Sequence, residues 1–143
     1  MSHVVSIRFQ DDQMERLRRL ARRLGRTPSE TGALLVEESL REAEFGHIDF
    51  RDSLVGRQAY VTNSSLSVWE VVQLAKTYGM DVTKTARHLE WLPLRVQAAL
   101  NYAAAFPQEI EEAIADADKS DFTTLSRLLP EAEEWVVDTE AAK

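Results

Sequence analysis

The sequence predicts a mainly α protein in three parts. A strand and two helices intertwine with a second copy, a small helix-turn-helix-like helical domain with a short β-hairpin follows, and an acidic tail ends the chain. Three observations predict this. Residues 4–9 alternate in polarity with a period of two; from Met14 onward apolar residues recur at spacings of three and four; and charge is unevenly spread. Residues 1–26 carry seven Arg against Asp11, Asp12 and Glu15, a net of +4, whereas residues 107–143 carry three basic against eleven acidic groups, a net of −8, in a chain whose total is −7. The expected boundaries are 1–46, 47–115 and 116–143.

The first element is the strand. Val5, Ile7 and Phe9 face one way and Val4, Ser6 and Arg8 the other. Gln10-Asp11-Asp12 opens a helix, its carboxylates at the positive end of the helix dipole. Met14, Leu17, Leu20, Ala21 and Leu24 form its apolar stripe, and Gly25 stops it. Thr27-Pro28-Ser29-Glu30 is a capping box with proline at the first helical position, opening a second helix through Ala33, Leu34, Leu35, Val36, Leu40 and Ala43. That apolar face is too wide for one neighbour, which predicts burial on two sides.

A lone strand leaves its N–H and C=O groups without partners, and a unit of some forty residues buries too little surface to stand alone. Both deficits vanish if two chains pair their strands and interleave their helices, so a homodimer is expected.

Segment two begins near Ile48. Gly56–Thr62 reads as a short strand followed by a turn at Asn63-Ser64-Ser65. Ser67 caps a helix carrying Val68, Val71, Val72, Ala75 and Tyr78, ended by Gly79. Asp81 opens another with Val82, Ala86 and Leu89; Pro93 starts a fourth with Val96, Leu100 and Ala103 inward; Pro107 starts a last one with Ile110, Ala113 and Ile114. Short helices with tight turns have a helix-turn-helix character. In the tail, Phe122, Leu125, Leu128 and Leu129 are helically spaced before Pro130, and Glu131–Asp138 is acidic around an apolar centre.

Composition excludes several classes. No apolar run approaches the roughly 18 residues that span a bilayer. The first residues lack a charged start followed by an apolar core, so no secretory signal is expected. With no cysteine, disulfides, zinc ribbons, iron–sulfur clusters and thiol catalysis are all removed, and a reducing cytoplasm is the expected home. His3, His47 and His88 are isolated. Asp116, Asp118 and Asp121 lack the glycine and terminal glutamate of a calcium loop. There is no phosphate-cradling loop or nucleophile elbow. Neither an enzyme nor a cofactor is expected, a small enzyme using the carboxylates of residues 109–121 being the weakest rival. Glu37-Glu38 and Glu111-Glu112 read as solvated helix faces.

The basic head suits DNA. A two-stranded ribbon fits the major groove, where Arg8 can bond guanine, Ser6 either base edge, and Val4 a thymine methyl. The second helix's first N–H groups, with the Thr27 or Ser29 hydroxyl, can hold a phosphate. Arg16, Arg18, Arg19, Arg22, Arg23 and Arg26 add field and further phosphate contacts. The plain alternative is an amphipathic helix with a solvated arginine face.

Val4-Val5-Ser6-Ile7-Arg8-Phe9, the helix ending at Gly25, and Arg26-Thr27-Pro28-Ser29-Glu30 resemble the ribbon-helix-helix family of dimeric bacterial repressors over about residues 3–44. The resemblance implies that Val4, Ser6 and Arg8 read bases, although Val4 and Gly32 depart from the family's usual choices. Gly56–Val61, Leu66–Val72, Tyr78–Val82 and Val96–Tyr102 resemble a small helical domain of bacterial antitoxins found beside PIN-like ribonuclease toxins, over about residues 48–115. Asn63-Ser64-Ser65 stands where that family has Gly-Thr-Arg.

Within segment two, Pro93, Leu94, Arg95, Gln97 and Asn101 offer a DNA reader only one arginine, so a platform for protein contact or assembly is favoured. Trp69 and Trp91 are expected as core anchors. An acidic tail is ordinarily a solvated coil. This one also holds Phe122, Leu125, Leu128, Trp135 and Val136, enough to fold onto a partner, with Glu131, Glu133 and Glu134 against a basic RNA groove. In the alternative, Lys119 or Arg127 reaches a toxin's metal-binding carboxylates. The resemblances together imply an antitoxin that neutralises a PIN-like ribonuclease and represses its own operon. A stand-alone repressor without a toxin is the other reading.

Overall fold

A computed structural model describes residues 1–128, 130 and 131; Trp135 and Val136 lie outside the described residues, as do the side chains of Lys119, Phe122, Leu125 and Leu128. The chain is mainly helical, with the elements α1 (Asp11–Leu24), α2 (Pro28–Glu44), β1 (Ile48–Ser53), β2 (Gly56–Val61), α3 (Val68–Thr77), α4 (Val82–Leu89), α5 (Pro93–Ala105) and α6 (Pro107–Leu128).

Local chemistry sets the helix ends. Gly25 closes α1 in the left-handed region (φ 66°), where a side chain would be strained. Thr27 caps α2 by accepting from the Glu30 N–H at 3.1 Å, while Glu30 accepts from the Thr27 N–H. Ser67 and Asp81 sit at the N-caps of α3 and α4, and Pro93 and Pro107 open α5 and α6. α6 continues past residue 116 to Leu128 without a break.

The core lies between the hairpin and helices α3 to α6. Val61, Val68, Val71, Val96, Ala99 and Tyr102 are fully enclosed, with Ile48, Ala59, Val72, Ala86 and Ile110 beside them. Trp69 and Trp91 pack against this core, as expected. Trp69 also donates its indole N–H to Gln58 Oε1 at 3.3 Å. Residues 1–46 bury far less: only Ala21, Thr31 and Glu38 are buried there.

The N-terminal arrangement corrects the sequence expectation. Residues 1–10 form no strand, and among the described residues the one sheet is the β1–β2 hairpin, lying between α2 and α3. An N-terminal ribbon ahead of two helices, the ribbon-helix-helix class, is therefore not the observed fold. The physical reason is pairing. β1 and β2 satisfy each other in antiparallel register, Ile48 opposite Val61 and Ser53 opposite Gly56, and no third strand joins them. The alternating segment finds no ladder in its own chain, so Val5, Ile7 and Phe9 are 81%, 61% and 47% exposed instead of forming a core.

α2 packs on α1 and β1. Its opposite side leaves Ala33, Val36, Leu40 and Ala43 exposed at spacings of three, four and three, an apolar stripe along one face.

Candidate nucleic-acid interface

Every arginine of residues 1–26 is exposed. With 3.6 residues per turn, Arg16, Arg19 and Arg23 fall on the side of α1 opposite buried Ala21, and Arg18 and Arg22 on its flank. Asp11, Asp12 and Glu15 occupy the opposite end of the helix, so positive charge rises toward Gly25 and complements the dipole. Two of the arginines have partners: Arg19 meets Glu15 and Arg23 meets Asp52, both at 3.2 Å. Both pairs are exposed, so they are weak and exchange readily for a phosphate. Arg16, Arg19, Leu20 and Arg23 line an open cleft of about 320 Å³.

Val4, Ser6 and Arg8 lie on the exposed segment leading into α1, and Arg22 and Arg26 border the α1–α2 turn with Thr27 and Ser29. At the start of α2 the Thr27 hydroxyl is committed to its own cap, and the Glu30 carboxylate closes the same end. Pro28 has no N–H, which leaves Ser29, with its backbone N–H and hydroxyl, as the better phosphate donor there.

A chain of charges runs from α2 through the hairpin to α1, which itself packs on α2. Arg57 on β2 donates to both oxygens of Glu38 on α2, from Nε at 3.1 Å and from Nη2, and its Nη1 reaches Asp52 at 3.2 Å. Asp52 also takes Arg23 of α1. Hydrogen bonding to Glu38, opposed by burial and aided by Asp52, holds the Arg57 guanidinium above its ordinary pKa. Glu38, expected on a solvated face, is instead buried. The signal was in the spacing, because Leu34, Glu38, Arg41 and Phe45 share one stripe.

A second cluster joins the end of α2 to α5 and α6. Arg41 donates to Glu37, to Glu109 and to the Tyr102 hydroxyl, at 2.8, 2.9 and 2.7 Å, and its guanidinium lies 3.7 Å from the Phe106 ring centroid. Burial opposes its charge, yet the bonds to Glu37, Glu109 and Tyr102 outweigh burial and raise its pKa. Burial, then donation to Glu109 at 2.6 Å, pushes the Tyr102 hydroxyl well above the ordinary tyrosine value.

The α4–α5 pair is internally engaged. Arg95 donates to the Thr62 carbonyl at 2.6 Å and stacks 4.3 Å over Trp91, and Gln97 donates to Asn101 at 2.8 Å. Leu92 and Leu94 are left outward. His88 meets the Tyr78 hydroxyl at 2.7 Å. Among the described residues, no group of three or more His, Asp or Glu could hold a metal ion, and no helix is long and apolar enough to cross a membrane. Arg127 is exposed on α6.

Among the described residues, the basic arc of α1, the leading segment and the exposed stripe of α2 are surfaces with little internal engagement. Compared with known proteins, the chain matches no family, no curated protein and no solved structure.

Proposed function

We propose that this chain is the antitoxin of a type II toxin–antitoxin pair, acting in the cytoplasm as a homodimer that binds its own operator DNA and neutralises a PIN-like ribonuclease. The observation that carries the DNA half is the concentration of seven exposed arginines, net +4, in the first 26 residues of a chain whose total charge is −7. Phosphate contacts from such a face supply affinity, and Val4, Ser6 and Arg8 are free to meet base edges beside it. In this reading a second copy seats on the α2 stripe, whose Ala33, Val36, Leu40 and Ala43 are exposed.

The toxin half rests on the resemblance of residues 48–115 to the antitoxin domain and on the tail. Arg95, Gln97 and Asn101 are engaged within the chain, which supports protein contact over DNA reading for the middle region. Phe122, Leu125, Arg127, Leu128, Trp135 and Val136 then supply apolar anchors and one cation to the toxin, and Glu131, Glu133 and Glu134 oppose its basic RNA groove.

Mobility shifts on the DNA upstream of its own reading frame, against a scrambled duplex, test the first half. Arg8→Ala loses sequence preference, whereas Arg22→Ala weakens both duplexes alike; unchanged binding of both by Arg8→Ala sinks the reader assignment. Co-purification with the product of the adjacent reading frame tests the second half. The absence of a nuclease-like neighbour would leave a stand-alone repressor.

A further inference from the structure

We propose that the acidic segment Glu131–Asp138 of this same protein docks in the cationic groove of α1, so that the tail and DNA compete for one surface. The groove presents Arg16, Arg19 and Arg23 around Leu20, all on one side of the helix and within two turns. The segment Glu131-Ala132-Glu133-Glu134-Trp135-Val136-Val137-Asp138 carries four carboxylates around an apolar centre. The two match in sign and composition: carboxylates for the guanidinium rim, Trp135 for Leu20. Arg carboxylate forks favour such a contact, and the existing partners of Arg19 and Arg23 are exposed and weak. The described chain ends at exposed Glu131, and the seven residues from there to Asp138 reach up to about 24 Å when extended.

The consequence rests on the function proposed above: a toxin that captures the tail uncovers the arginines for DNA, linking the two binding events through one shared surface. The docking itself does not rest on it, and its test uses neither DNA nor toxin. Because the chain has no cysteine, Asp12→Cys places a single nitroxide on the groove's face of α1, one turn before Arg16, in the full-length protein. The expected result is selective broadening of the Trp135 indole signal and of the amides of 131–138. Loss of that broadening is expected in the Arg16→Glu/Arg19→Glu background and at 1 M salt, where the Debye length falls to about 3 Å. Unbroadened tail signals at low salt, or broadening indifferent to charge reversal, would overturn the proposal. In a separate arm, Glu131→Gln/Glu133→Gln/Glu134→Gln raises affinity for a scrambled duplex about tenfold. Docking seen by NMR without that gain would overturn the competition with DNA.

Discussion

At the scale of single residues, the Glu38–Arg57 pair decides how α2 meets the hairpin. The Glu38 side chain is 8% exposed and Arg57 covers it with two hydrogen bonds. Removing the arginine alone strands a buried carboxylate, so Arg57→Ala costs about 3 kcal/mol. The double change Glu38→Met/Arg57→Met costs much less, because nothing charged remains to be desolvated. Urea denaturation of the two single variants and the double variant gives the coupling. Tyr102 makes a pH prediction. Its hydroxyl proton is held more tightly in the folded chain than the ordinary value near 10 in the unfolded chain. Its contribution is therefore complete below about pH 10 and falls away as pH climbs from there toward the raised folded value. Denaturation midpoints for wild type should decline over that alkaline range, and Tyr102→Phe should decline less steeply, from a start lower by about 1 kcal/mol.

Elements were legible wherever a local stereochemical device marks them. Gly25, the Thr27-Pro28-Glu30 box, Ser67, Asp81, Pro93 and Pro107 each act within one turn of chain, and each stands at the expected helix end. The N-terminal strand misled because alternation tells which side chains share a face, and says nothing about where a hydrogen-bonding partner comes from. β1 was harder to see for the converse reason. Asp49, Arg51 and Asp52 make it look like loop; Arg51 meets Asp49 along the extended strand itself, while Asp52 is matched by Arg57 only once the hairpin closes. Likewise Glu38 and Arg57 lie 19 residues apart, beyond any local rule. The basic arc of α1 needed no such knowledge, since helical spacing alone places it. The α2 stripe carries its own prediction. If a second copy covers Ala33, Val36, Leu40 and Ala43, then Leu40→Lys shifts the sedimentation equilibrium toward monomer by at least tenfold in Kd, about 1.4 kcal/mol. An unchanged equilibrium would place the dimer contact elsewhere.

At the scale of the whole molecule, apolar burial is unequal. Residues 48–114 enclose a continuous core, while residues 1–46 hold three buried side chains and are tied to the rest by the Glu38–Arg57 pair, the Arg41 cluster and Phe45, which packs on Tyr102 and Phe106. Hydrogen exchange should separate the two halves, with α1 amides opening at least about 2 kcal/mol more easily than those of α3 and α5. Raising protein concentration should slow exchange in α1 and leave α3 unchanged, because association stabilises only what it covers. Concentration-independent protection of α1 would mean that the first half stands by itself. If a second copy covers the first half, the lopsided interior makes that half a gauge of abundance: on dilution, limited proteolysis should cut first within residues 1–46 and leave the 48–114 core whole.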